Sequence, residues 1–175
     1  RHFAETADAV HVPCILYNVP GRTGCSIPVE VVERLAKHPN VAGIKEASGN
    51  MSYAMKIAHC IGPDFALYSG NDDITVPLMS IGGSGVISVY ANVMPRMCHD
   101  IVMDYLNGNQ AKAMENTNRY LKLMNDLFIE VNPIPVKTAM NMMGLNVGPM
   151  RLPLYDMSEK NAAVLRATLE EAGLL

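Results

Sequence analysis

Four short apolar runs, separated by helical patterns, constrain the fold of this chain more than any other feature. They are CILYN at 14–18, VAGIK at 41–45, FALYS at 65–69 and GVISV at 85–89. Residues 28–38, 52–61 and 72–81 lie between them. The first of these carries Val31, Val32 and Leu35 at helical spacing, with Pro28 suited to a first turn. In the second, Tyr53, Ile57 and Ile61 recur every four residues. The third opens on Asp72 and Asp73, whose charge suits the positive end of a helix. The pattern is β-α-β-α-β-α-β with the period of parallel βαβ units. The runs are nearly continuous in apolar character, as expected of strands covered on both faces.

After residue 95 the strand signals stop. Helices are predicted over 96–106, 109–130, 135–143 and 158–171, punctuated by Asn, Gly and Pro. Leu121, Met124 and Phe128 fall on one face of the longest. The expected organisation is therefore a parallel α/β region over 1–94 and a helical region over 95–175. Four βα units are half of an eight-stranded α/β barrel, which takes about 250 residues. An open, doubly wound sheet fits the same pattern. The chain opens Arg1-His2-Phe3, and residues 2–10 read as the end of a helix, so a preceding segment is expected.

Composition removes several function classes. A net charge of -3, with no basic run, argues against nucleic acid as a partner. No apolar stretch reaches the roughly 18 residues of a membrane span, and no signal peptide is read at the start. Cys14, Cys25, Cys60 and Cys98 form no CxxC, which fits free thiols in the cytoplasm. The histidines show no ligand spacing, so no metal is expected.

In a barrel, chemistry sits where strands end and loops begin. Four segments meet or test that rule. Tyr17-Asn18-Val19-Pro20-Gly21-Arg22-Thr23-Gly24 reads as a tight loop at a strand end. Its Arg22 can grip a carboxylate with two parallel hydrogen bonds. Its Tyr17 can relay a proton beside an amine, although both residues also suit a plain turn. Lys45 ends the second run. A desolvated lysine there can attack a carbonyl carbon and form a Schiff base, whereas most lysines reach water or, here, pair with Glu46. Asp72 and Asp73 invite a magnesium reading, but helix capping explains them better. Gly82-Gly83-Ser84-Gly85 resembles a phosphate cradle, yet it precedes its strand and reads as a turn.

Taken in order, LYNVPGRTG at 16–24, GIKEASGN at 43–50, YSGNDD at 68–73, GGSGVISVYANV at 82–93, NPIPVK at 132–137 and RLPL at 151–154 resemble one family across the chain. It is the dihydrodipicolinate synthase family, among the pyruvate-dependent aldolases that include N-acetylneuraminate lyase. The resemblance implies a (β/α)8 TIM barrel, here its second half, followed by a helical region. It implies condensation of pyruvate with aspartate semialdehyde on the route to lysine. Lys45 matches the Schiff-base lysine, Tyr17 the proton relay and Arg22 the arginine that orients a substrate carboxylate. Gly70 and Ile87 match positions lining the pyruvate pocket, Ile87 through its main chain. No cofactor is implied, because the lysine imine is the electron sink. A dimer or tetramer is expected. A threonine pair and a second tyrosine belong to the family's first four units, and so, for the most part, does the lysine feedback site of regulated members; none of these can be mapped onto this sequence. Two alternatives stand beside this reading: an aldolase for a larger keto-sugar acid, and a non-catalytic half-barrel.

Overall fold

The apolar runs form the four strands of one parallel sheet. They are β1 (Cys14–Asn18), β2 (Val41–Glu46), β3 (Ala66–Ser69) and β4 (Gly85–Val86), ordered β1-β2-β3-β4. The structure is a computed structural model describing residues 1–175. The chain divides into two compact units, Arg1–Ile87 and Ser88–Leu175. The first is α/β and the second is helical.

In the first unit the strands alternate with α1 (His2–Ala9), α2 (Pro20–Thr23), α3 (Val29–Leu35), α4 (Met51–Ile57) and α5 (Thr75–Ser80). One face of the sheet presents Leu16, Ile44 and Leu67, which are buried with Val32 and Leu35 of α3, Ala54 and Ile57 of α4 and Leu78 of α5. Each buried aliphatic side chain of this size contributes roughly 1.5–3 kcal/mol. Side chains alternate along a strand, so their neighbours point the other way. That second face carries Ile15, Tyr17, Lys45 and Tyr68. The expectation of two covered faces is corrected on β1: Ile15 is 46% exposed and Tyr17 44%. The helices of the first unit cover one side only.

Several boundaries differ from the sequence reading: α3, α4 and α7 end three or four residues before the expected 38, 61 and 130, and three others have a local cause. The Pro-Gly pair at 20–21, read as a turn, starts the single helical turn α2, because proline is preorganised for a first helical position. The run 85–89 leaves the sheet after Val86, since Val89 takes helical dihedrals ahead of a 3-10 turn over Tyr90–Asn92. The helix expected from Asp72 begins at Thr75, whose N–H donates to the Asp72 carbonyl at 3.4 Å.

The second unit contains α6 (Pro95–Leu106), α7 (Gln110–Asp126), α8 (Ile134–Met142) and α9 (Glu159–Glu171). Ala113, Thr117, Tyr120 and Met124 form the buried stripe of α7, a strict helical repeat. Met124 lies on it as expected, but Leu121 and Phe128 are exposed. Leu121 is one residue off the stripe, and Phe128 lies beyond the helix end at Asp126. The start of α9 is braced from a distance. Glu130 Oε1 accepts from Ser158 N–H at 3.1 Å, the Ser158 hydroxyl at 2.6 Å and Asn161 Nδ2 at 2.8 Å. The Ser158 hydroxyl caps the helix by accepting from Asn161 N–H.

Candidate active site

Every strand of a parallel sheet ends on the same side, so the loops leaving β1, β2, β3 and β4 share one edge. The register sets Tyr17 beside Lys45, Lys45 beside Tyr68, and Tyr68 beside Gly85. Lys45 is half-buried on the open face. Its Nζ stands 4.4 Å from the centroid of the Tyr17 ring. At that range the ring quadrupole attracts a cationic amine, so Tyr17 holds the lysine through its ring face. The lysine is thereby kept above the sheet and off the helical layer.

Gly70 follows β3 and supports this lysine from the next loop. Its N–H donates to the Glu46 carbonyl at 2.7 Å, which brings its backbone against β2. A Cβ there would lie 2.5 Å from the Ala47 Cβ and 3.0 Å from the Lys45 Cε. Only glycine leaves room for Ala47 here, and the end of the lysine stem lies against the same space. Ile87 stands at the matching end of β4, where its N–H donates to the Ser69 carbonyl at 2.9 Å. Its side chain is exposed.

Arg22 lies in α2, on the loop that leaves β1 directly after Tyr17 and Asn18. Gly24 ends that turn in the left-handed conformation, φ 73°, with its N–H donating to the Pro20 carbonyl at 2.9 Å. Arg22 is exposed. The structure therefore brings Lys45, Tyr17 and Gly70 into contact range, and sets Ile87 and Arg22 on loops of the same edge.

The pairing of Lys45 with Glu46, weighed from the sequence, does not form. Glu46 follows Lys45 in the strand and so points to the opposite, covered face. There its carboxylate accepts from Asn18 Nδ2 at 2.6 Å and from Ser48 N–H at 2.6 Å. From the sequence, Glu46 is considered only as a partner for Lys45, and Asn18 is not singled out. The signal was the alternation itself: a lysine on the open face forces a carboxylate into the core. Nearby, burial and the Glu46 charge push the Tyr53 hydroxyl up to about 12. No group of three or more His, Cys, Asp or Glu side chains is arranged to hold a metal. The four cysteines form no disulfide, and no helix is long and apolar enough to cross a membrane.

Fold and geometry together define an α/β protein with a lysine-centred candidate site at the ends of parallel strands. The chain belongs to the dihydrodipicolinate synthetase family, whose profile matches residues 1–172. It is 54% identical over 174 residues to the 4-hydroxy-tetrahydrodipicolinate synthase of Caldicellulosiruptor bescii, covering 99% of this chain and 59% of that protein. The crystal structure of dihydrodipicolinate synthase from Thermotoga maritima superposes with a TM-score of 0.95 at 40% identity, over 99% of this chain and 60% of that one. The enzyme of Acinetobacter baumannii, solved in complex with pyruvate, gives a TM-score of 0.94 at 38% identity, over 99% and 60%. The chain thus spans about three-fifths of the length of the relatives it matches.

Proposed function

We propose that this chain is the catalytic-lysine portion of a 4-hydroxy-tetrahydrodipicolinate synthase, which condenses pyruvate with aspartate 4-semialdehyde. The observation that carries the reading is the Lys45–Tyr17–Gly70 arrangement at the strand ends, within a chain 54% identical to a protein of that name. The four parallel strands are read as the second half of a (β/α)8 barrel, with β1 and β4 as the edges that a complete barrel would pair. The intact protein is a cytoplasmic homo-oligomer on this reading.

In the proposed reaction the Lys45 amine forms the Nζ–C2 bond to pyruvate, and the ketone oxygen leaves as water. The resulting iminium withdraws electrons from C3, which loses a proton to give the enamine. The enamine carbon then attacks the aldehyde carbon, and a proton goes to the new alkoxide. The amino group of the semialdehyde then attacks C2 of the regenerated iminium, which closes the ring, breaks the Nζ–C2 bond and frees the Lys45 amine. Tyr17 holds the amine and supplies the phenol for proton transfers. Gly70 leaves space for the lysine stem, and its backbone with that of Ile87 borders the pyruvate. Arg22 grips the semialdehyde carboxylate from the loop. That clamp, with the relatives' names, favours the semialdehyde over a larger keto-sugar acid.

The test is a substrate panel on the chain and on its Lys45→Ala variant. Product from pyruvate and aspartate semialdehyde, lost in Lys45→Ala, is expected. Turnover of a keto-sugar acid instead, or undiminished activity in Lys45→Ala, contradicts the reading. The exposure of Tyr17, 44%, favours a second reading in which these 175 residues alone bind pyruvate without turning it over. Covalent capture of pyruvate without product would single it out.

A further inference from the structure

A closed ring of hydrogen bonds lies behind Lys45, on the covered face of the sheet. Its centre is the pair Glu46 and Asn18, 2% and 1% exposed. Asn18 Nδ2 donates to Glu46 Oε2 at 2.6 Å, and Asn18 Oδ1 accepts from Ile27 N–H at 2.9 Å. The other carboxylate oxygen of Glu46 accepts from Ser48 N–H at 2.6 Å and from the Ser48 hydroxyl. Ser48 Oγ accepts from Asn50 N–H at 3.1 Å, and Asn50 Oδ1 accepts from Tyr53 N–H at 3.0 Å. The Tyr53 hydroxyl donates to the Ile27 carbonyl at 2.7 Å and closes the ring.

The ring joins the parts that carry the proposed chemistry. Asn18 follows Tyr17, and Glu46 follows Lys45. Ile27 is where the Arg22 loop returns to the body of the unit, and Asn50 caps α4. The donor and acceptor pattern allows one assignment. All the side-chain partners of Glu46 donate, so an acceptor-only group is required there. Ile27 N–H requires the Asn18 oxygen, which turns the Asn18 amide toward Glu46. A carboxylate buried this deeply costs several kcal/mol unless it is fully hydrogen-bonded, and an apolar side chain would pack there more cheaply. Strand neighbours alternate, so a change in the direction of Glu46 swings Lys45 on the opposite face.

We infer that Glu46 is a positioning residue: through Asn18 and Ser48 it locks the strand ends bearing Tyr17 and Lys45, and the return of the Arg22 loop, into one arrangement. The inference rests on the Schiff-base reading of Lys45. Glu46→Gln breaks the ring, because an amide at 46 sets an N–H against the Asn18 amide or against Ser48 N–H. Asn18→Asp breaks it by opposing two carboxylates. The double variant Asn18→Asp/Glu46→Gln exchanges acid and amide. The carboxylate at 18 then accepts from Ile27 N–H and from the amide at 46, whose carbonyl still accepts from Ser48.

Two readouts on the 175-residue chain separate this role from a general loss of structure. One is amide hydrogen exchange at Ile27, which touches Asn18 and not Glu46. The other is borohydride capture of pyruvate at Lys45, with its maximal rate and half-saturating concentration measured separately. Each single variant is expected to speed Ile27 exchange about tenfold, since the opening is local. The maximal capture rate is expected to fall on the order of 10–100-fold, as for a displacement of about 1 Å, and by more than half-saturation changes. The double variant recovers both. A folded Glu46→Gln with wild-type exchange at Ile27, or a double variant no better than the singles, overturns the inference. Should Glu46→Gln not fold, Asn18→Asp and the double variant carry the same comparison. A wild-type chain that captures no pyruvate at Lys45 sinks the Schiff-base reading instead, and Ile27 exchange still decides whether Glu46 sets the strand ends.

Discussion

At the scale of single residues, the site is governed by what Gly70 lacks. Its missing Cβ leaves the space taken by the Ala47 Cβ, with the end of the Lys45 stem beside it. Gly70→Ala is expected to cost about 1–3 kcal/mol of stability by overpacking, read from the urea unfolding midpoint. Its effect on pyruvate capture should be larger, on the order of tenfold or more, because the lysine itself is displaced. Capture at the wild-type rate would show that the lysine bends aside freely. Tyr53 gives a pH signature for the layer below. Burial, then the Glu46 and Cys60 charges, raise its hydroxyl from the ordinary 10.0 to about 12. Between those values the folded chain holds a proton that the unfolded chain has released. Its stabilising contribution is therefore complete below pH 10.0 and is lost as the pH rises toward about 12. Tyr53→Phe should flatten that part of the stability profile, and an unchanged alkaline slope would assign it to other groups. The strand-end places of Tyr17 and Lys45 and the loop place of Arg22 were legible in the sequence, because short apolar runs and a Pro-Gly pair fix them; the roles proposed for them came from the family resemblance. Glu46 and Asn18 were not legible, because burial of a carboxylate and an amide depends on which face the helices cover.

At the scale of elements, the second unit is held by a contact no periodicity announces. Glu130 lies outside any helix and fixes the first turn of α9 through Ser158 and Asn161. Hydrogen bonds from the Ser158 and then the Asn161 side chain hold its carboxyl below the ordinary 4.5. The sign is that of a lowered carboxylate. The stabilisation is present above pH 4.5 and lost as the pH falls through the folded value. Glu130→Gln should lower the urea midpoint at neutral pH and reduce its further fall under acid. A variant with the same acid slope as wild type would contradict this. Strands β1 to β3 were legible to within a residue or so, since a short apolar run bounded by turns has few other uses. The end of β4 was not, because apolar residues serve a strand and a 3-10 turn equally. The face of α7 was set by its neighbours: Tyr120 packs beside Tyr90 at 6.2 Å between ring centroids, which turns Leu121 outward.

At the scale of the whole molecule, the α/β unit presents an incompletely covered face and two edges. β1 pairs only with β2, so one side of its backbone is open, and Ile15 is 46% exposed beside it. Such an edge is a template for another strand. The chain at high concentration is expected to self-associate, and Ile15→Lys should weaken that association without unfolding it, as measured by light scattering. Equal association in the variant would place the contact elsewhere. The α/β class and the order of its units were legible from the spacing of the runs. Whether the sheet closes was not, because an open sheet and a barrel share the same local pattern.

The most direct test of the account is the intact mass of the chain after incubation with pyruvate and borohydride, followed by mapping of any adduct. The account predicts one reduced pyruvate, on Lys45, absent from Lys45→Ala. An adduct on another lysine, or equal labelling of the variant, would contradict it.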